Sequence, residues 1–213
     1  MDADQDRLAN PLGHDPDCRN CPELCAVRDR IVHGYGDVGA DFLFIGETPT
    51  AAAEANGVPF TGDAAGRRLQ SILGALELSQ SPPRAADPTI ENAYLAYLAR
   101  CRHPERAPTD DEITTCSAYR TAEVRMINPE VIVPIGERTL RTLATEYTTR
   151  DPETLSMPEA HATEIRGRGF ELFPLVELDS LTESTMTTFV KRFGELMDRD
   201  YRKPKGPHAD REE

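Results

Sequence analysis

The sequence lacks any apolar stretch long enough to span a bilayer, and it lacks the basic and then apolar start of a secretory signal. These absences predict a soluble, cytoplasmic protein with no membrane partner. Thiols are kept reduced in that compartment, so the five cysteines are expected to be free or metal-bound, not paired in disulfides. At 213 residues the chain is long enough for one domain with a full core.

Lysine is also scarce: Lys191, Lys203 and Lys205 are the only three among 24 basic residues, and the rest are arginine. The formal net charge is -13. This composition is typical of salt-adapted proteins, in which an acidic surface says little about the ligand. Such a surface repels nucleic acid at low salt, but high salt screens that repulsion, so a nucleic-acid partner is not excluded.

The five cysteines fall into two distant pairs and a remainder. Cys18 and Cys21 form a CxxC near the N-terminus, Cys101 and Cys116 form a wider pair, and Cys25 is left over. The pairs can share one metal only if the fold brings them together. Four thiolates suit either a structural zinc or an iron–sulfur cluster, and the residues alone leave both open.

Short apolar runs alternate with amphipathic segments, which predicts an α/β fold. We expect a three-layer α/β/α domain over residues 18–199 with a central four-stranded, mainly parallel sheet. Residues 1–17 are expected to be loose, and residues 200–213 to be a disordered charged tail. The four strands are predicted at residues 41–45, 93–98, 131–135 and 171–176.

Helices are predicted from spacing and capping signals. Residues 66–78 have apolar side chains at helical spacing. Thr109 and Glu112 form a capping-box pattern for a helix that runs to Ile127, and Ser180 and Glu183 suggest another for a last helix through Met197. Functional loops of such sheets follow the carboxyl ends of the strands.

Several segments in this order resemble one known family. They read GETPT at residues 46–50, GVPFTG at 57–62 and CRHPERAPTDDE at 101–112. Together with the cysteines, they are similar to the iron–sulfur (family 4) uracil-DNA glycosylases and the superfamily around them. The third segment is one residue short of the family pattern before Arg106. The resemblance covers roughly residues 18–143.

The resemblance implies a cofactor. Cys18, Cys21, Cys101 and Cys116 fall on the positions that ligate a [4Fe–4S] cluster in that family, with structural zinc as the alternative. Cys25 falls where the family needs no thiol, and we expect it to be a buried spare. The implied role of the cluster is structural, since glycosidic cleavage needs no redox step.

The resemblance also implies hydrolysis of the N-glycosidic bond of a flipped deoxyuridine in DNA. Glu47 keeps the family's acid and is the expected catalytic residue. Gly46 and Thr48 belong to the loop that contacts the base and positions the attacking water. Phe60 matches the aromatic that stacks on the base.

Two positions depart from the family pattern. Tyr97 stands where an Asn reads the edge of uracil, and a hydroxyl cannot offer the paired donor and acceptor of an amide. Glu177 stands at or beside the place of a His that stabilises the departing base. A carboxylate there repels an anion unless it is protonated. Neither His103 nor any other histidine is an obvious substitute.

Two main hypotheses follow. One is an active DNA glycosylase of base excision repair, acting as a monomer on uracil or another damaged base in single- or double-stranded DNA. The other is a catalytically impaired relative that keeps the fold and cluster to bind nucleic acid or protein. An unrelated α/β protein with a structural zinc ranks last.

Overall fold

The computed structural model describes residues 7–199 of the chain. Six strands form one sheet: β1 (Tyr35–Gly36), β2 (Phe42–Gly46), β3 (Ala93–Tyr97), β4 (Val131–Pro134), β5 (Ile165–Arg166) and β6 (Glu171–Leu172). The α-helices are α1 (Pro22–Val27), α2 (Ala51–Asn56), α3 (Ala64–Ala75), α4 (Asp110–Ile127), α5 (Glu137–Tyr147) and α6 (Glu183–Met197). No helix of this part of the chain is long and apolar enough to cross a membrane.

The sheet is mixed, with strand order β1-β3-β2-β4-β6-β5. The inner pairs β2–β3, β2–β4 and β4–β6 are parallel, whereas the edge strands β1 and β5 pair antiparallel. The α/β class is therefore confirmed, but the four-stranded, mainly parallel sheet is wrong. Both edge strands contain two residues, too few to show a strand period in the sequence.

Two apolar cores lie on opposite faces of the sheet. Alternate side chains of β2 explain this arrangement, since Phe42 and Phe44 face one core and Leu43 and Ile45 face the other. The first core includes apolar residues of α3 and α6, and the second includes residues of α4 and α5. Strands buried on both faces read as continuous apolar runs, which is why β2 and β4 were visible in the sequence.

Part of the N-terminal segment, residues 8–14, packs on the domain, contrary to the loose segment expected there. Leu12 is fully buried, and the Asn10 backbone N–H donates to the Gly34 carbonyl at 2.9 Å. Ala9 forms an isolated antiparallel bridge with Tyr35. Leu8 also packs against a core, but two apolar residues and one bridge give no periodic signal in a polar segment. Residues 1–6 and the predicted tail over 200–213 lie outside the described residues.

Two predicted boundaries are also corrected. The last helix is capped by Thr182, whose hydroxyl accepts from the Thr185 N–H at 3.2 Å, because Ser180 is held in a 3-10 turn over Leu178–Ser180. The final strand is short because Pro174 has no N–H to donate to its neighbour.

The capping box at the start of α4 is confirmed. The Thr109 hydroxyl accepts from the Glu112 N–H at 3.2 Å, and the Glu112 carboxylate accepts from the Thr109 N–H at 2.7 Å. Helix α4 ends at Ile127, as predicted, and Asn128 follows in the left-handed conformation.

We expect Thr109→Ala to lower the free energy of unfolding by about 1 kcal/mol, because it removes one half of the capping box. Urea unfolding measures this change. Thr114→Ala, at an exposed position of the same helix, is the matched control and should change stability by less than about 0.5 kcal/mol. Equal effects of the two substitutions would contradict a capping role for Thr109.

Candidate active site

A pocket lies at the carboxyl edge of the parallel strands. The strand register explains its position, since Gly46 of β2 pairs with Tyr97 of β3, and Ile45 pairs with Pro134 of β4. The cavity has a volume of about 180 Å³. All six pocket residues predicted from the sequence line it: Gly46, Glu47, Thr48, Phe60, Tyr97 and Glu177.

Two aromatic rings pack against each other at one side of the pocket. The Phe60 and Tyr97 ring centroids lie 4.6 Å apart, and the Tyr97 hydroxyl oxygen accepts from the Phe60 N–H at 2.9 Å. Phe60 has φ +55°, which is uncommon for a residue with a side chain. A Cβ at Gly46 would lie 2.8 Å from the Phe60 ring, so only glycine admits this close contact. Burial raises the pKa of Tyr97, so its hydroxyl stays protonated.

An arginine fixes the Glu47 carboxylate. Arg138 follows β4 and donates from Nη1 to Glu47 Oε1 at 2.6 Å. The same guanidinium donates to the Pro108 carbonyl at 2.7 Å and to Asp110 Oδ1 at 2.6 Å. Because Arg138 is held from three directions, it orients Glu47 with little freedom to rotate. The Glu47 side chain remains 26% exposed and therefore reachable from solvent.

Glu177 contributes a second carboxylate, which lies against bare backbone. An ideal Cβ at Gly136 would fall 1.9 Å from Glu177 Oε1, so the carboxylate occupies the space that any other residue at 136 would fill. Gly136 also has φ +89°, a conformation that favours glycine. Partial burial, and then the negative charges of Glu47 and Asp179, raise the pKa of Glu177.

Two threonines fix the loop that follows β2. The Thr48 hydroxyl donates to the Cys101 carbonyl at 3.0 Å. The Thr50 hydroxyl donates to Asp63 and also caps α2 by accepting from the Ala53 N–H at 3.2 Å. The loop is therefore joined to the segment that follows β3 and to the start of α3.

A second pocket contains thiols. Cys18 and Cys21 lie just before α1, Cys101 follows β3, and Cys116 lies within α4, and all four line this pocket. Cys25 does not line it and is partly exposed, contrary to the buried spare expected from the sequence.

The thiols are partly buried and lie close enough together to shift one another's pKa. Burial and the neighbouring Cys116 and Cys101 thiols raise the pKa of Cys21 to about 11. Burial also raises the pKa of Cys101 to about 11, although Arg28 donates to its sulfur at 3.1 Å. A metal that binds here must therefore displace protons from the thiols.

The four thiols are not arranged around a single metal position in the described residues. Within residues 7–199, no group of three or more His, Cys, Asp or Glu side chains is arranged to hold a metal ion. His103 does not line either pocket, and its Nδ1 accepts from the Glu105 N–H at 3.2 Å.

Comparison with known proteins decides the family. The family model of the uracil-DNA glycosylase superfamily matches residues 33–192, which contain the whole sheet. The chain belongs to the uracil-DNA glycosylase superfamily. Among curated proteins of this superfamily, a type-4 uracil-DNA glycosylase of Saccharolobus solfataricus is 34% identical over 121 residues, covering 56% of this chain and 50% of the relative.

Other members of the superfamily are similarly distant. A type-4 uracil-DNA glycosylase of Archaeoglobus fulgidus is 32% identical over 120 residues, covering 56% of this chain and 54% of that protein. A type-5 uracil-DNA glycosylase of Thermus thermophilus is 31% identical over 151 residues, covering 61% of this chain and 68% of that protein. The chain thus spans about half the length of the first two curated relatives.

Sequence reasoning missed two charged residues that line the pocket and one beside it. Asp63 and Asp179 line the pocket. Arg138 donates a hydrogen bond to Glu47, which is 91 residues away in the sequence. Asp63 carries the pattern of a helix cap, and its carboxylate accepts from the Gly66 N–H at 2.7 Å. Arg138 carries no local signal except its place just after a predicted strand end.

The raised pKa of Glu177 predicts a pH-dependent stability. A carboxyl whose folded pKa exceeds its ordinary 4.5 favours folding below that pH, and the contribution is lost as the pH rises. We expect Glu177→Gln to raise the free energy of unfolding at pH 8 by less than about 1 kcal/mol, because solvent screens this partly exposed group. Urea unfolding at pH 4 should show no such gain.

Glu195→Gln is the matched control, since Glu195 is exposed on α6 away from the pocket. A Glu177→Gln gain of equal size at both pH values would show that the effect comes from packing and not from charge.

Proposed function

We propose that this chain is a DNA glycosylase that hydrolyses the N-glycosidic bond of uracil or another damaged base in DNA, as a step of base excision repair. The observation that carries this proposal is the convergence of Glu47, Thr48 and Phe60 in one pocket at the carboxyl edge of the sheet. Membership of the superfamily supports it, as do the relatives that are named uracil-DNA glycosylases.

In this proposal Glu47 orients the attacking water and accepts its proton. Arg138 is a positioning residue, because its ion pair fixes the direction of the Glu47 carboxylate. Phe60 provides the aromatic surface for a base flipped out of the duplex, and Gly46 allows that ring to lie close to the strand. Thr48 holds the loop by its bond to the Cys101 carbonyl.

The alternative is a catalytically impaired member that keeps the fold to bind nucleic acid or a protein. Two observations favour it. The Tyr97 hydroxyl already accepts from the Phe60 N–H, and Glu177 places a carboxylate where a departing uracil anion would need a donor. Loss of one such donor costs roughly a hundredfold or more in rate.

We further propose that Cys18, Cys21, Cys101 and Cys116 bind a [4Fe–4S] cluster. Their shared pocket supports this assignment. Four thiolates are the usual ligands of such a cluster, and they also suit a structural zinc. The cluster would supply structural cross-linking, joining α1 to the segment after β3 and to α4. Structural zinc is the alternative.

The remaining proposals concern the domain organisation, oligomeric state, location and DNA binding of the protein. Residues 18–199 form a single domain that acts on DNA as a monomer in the cytoplasm. The continuous six-stranded sheet supports one domain. The net charge of -13 implies that DNA binding needs screening by salt, or basic residues concentrated near the pocket mouth.

Single-turnover release of uracil tests the catalytic proposal. We expect release from uracil-containing single- or double-stranded DNA in molar salt to exceed the enzyme-free blank, and Glu47→Ala to abolish it, because the water loses its proton acceptor. Glu195→Ala, an exposed change on α6, should keep the wild-type rate. Release of no base from uracil-containing or damaged DNA would favour the impaired alternative.

Metal analysis tests the cluster. Protein purified without oxygen should be brown and contain about four irons per chain. Cys116→Ser should lose iron and colour because it removes a ligand, whereas Cys25→Ser should keep both because Cys25 lies outside the pocket. A colourless protein with one zinc per chain would overturn the cluster assignment.

A further inference from the structure

The candidate active site carries charge of one sign. Its lining contains four carboxylates, those of Glu47, Asp63, Glu177 and Asp179. Among the described residues, no Lys, Arg or His side chain lines it. Such a pocket is poorly suited to a leaving group that departs as an anion, because a carboxylate without a cationic partner raises the energy of that anion. The same charge favours a ligand that enters as a cation.

Only one of these carboxylates has no protein partner among residues 7–199. Glu47 is paired with Arg138, Asp179 lies 3.7 Å from Arg68, and Asp63 caps α3. The Glu177 carboxylate makes no hydrogen bond or ion pair within this part of the chain. It lies on the Gly136 backbone at the pocket wall, where a ligand can approach it.

The aromatic side of the pocket is consistent with a cationic ligand. Phe60 lines the same cavity as Glu177, and a cation near an aromatic face is attracted by the ring quadrupole. The Tyr97 hydroxyl is engaged by the Phe60 N–H at 2.9 Å. Tyr97 therefore offers no paired donor and acceptor for the edge of a neutral pyrimidine.

We propose that this pocket takes a positively charged base, namely an N3- or N7-alkylated purine nucleotide in DNA, in preference to uracil; this inference rests on the proposed glycosylase function. Glu177 is then the group that recognises the charge. A carboxylate facing a cationic heterocycle makes a charge-assisted contact, which is stronger than a neutral one.

The chemistry balances without a donor for the leaving group. The bond between C1′ and the purine nitrogen breaks, and its electron pair goes to the base, where it cancels the positive charge. The base departs neutral. The oxygen of a water bonds to C1′, and its proton passes to Glu47 and then to solvent. A carboxylate at position 177 is therefore compatible with catalysis on this substrate, although it opposes uracil release.

Base release from two DNA substrates, compared in separate reactions, tests the preference for a cationic base. Full-length protein is given DNA methylated with dimethyl sulfate, which contains N7-methylguanine and N3-methyladenine, or uracil-containing DNA of the same sequence. Released bases are measured by mass spectrometry against an enzyme-free blank, at concentrations below saturation so that the rates report kcat/KM. We expect methylated purines to be released at least about tenfold faster than uracil, the size of one charge-assisted contact.

Substitutions of Glu177 test whether its charge causes the preference for methylated purines over uracil. Glu177→Gln should lower kcat/KM for methylated purines by about tenfold or more and should speed uracil release, because the lost carboxylate binds the cationic base but opposes the departing anion. Glu177→His should shift the preference toward uracil. Glu195→Gln serves as the control, and unfolding midpoints verify that every variant is folded.

The outcomes separate the two proposals. Uracil release with methylated purines left at the blank rate would overturn the cationic substrate and leave the glycosylase function in place. An equal loss of both activities in Glu177→Gln would overturn the recognition role of Glu177. No release of any base from either DNA would overturn both proposals.

Discussion

The parallel pairing of β2 with β3 and β4 is the constraint on which both pockets depend. It aligns the carboxyl ends of three strands, and the pairing continues beyond them through the Leu98 and Ala99 N–H groups, which donate to the Gly46 and Glu47 carbonyls. Residues that follow each strand therefore meet at one edge of the sheet, although they are far apart in the chain. A shift of one residue in this register would turn Tyr97 to the opposite face.

The two pockets are physically connected by this alignment. Cys101 follows β3 by a few residues, so the segment that supplies a thiol to one pocket also borders the other. The Thr48 hydroxyl joins them directly through the Cys101 carbonyl. Arg138 adds a second connection, since it holds Glu47 together with Pro108 and Asp110 from the segment between Cys101 and α4.

Much of the fold and site could be predicted because the signals are local. Strands β2, β3 and β4 are continuous buried runs, and the Thr109 cap lies within four residues of its partner. The edge strands, by contrast, are two residues long, and Ser180 matches a capping pattern as well as Thr182 does. The partnership of Glu47 with Arg138 depends on strand order, which no local pattern encodes.

The contact between Glu177 and Gly136 also restricts how this protein can change. Any side chain at position 136 would collide with the Glu177 carboxylate and would have to adopt a strained backbone conformation. The acid is the flexible end of its side chain and can rotate away, whereas the backbone strain at position 136 would remain whatever stands at 177. The charge of the pocket is therefore easier to change than its shape.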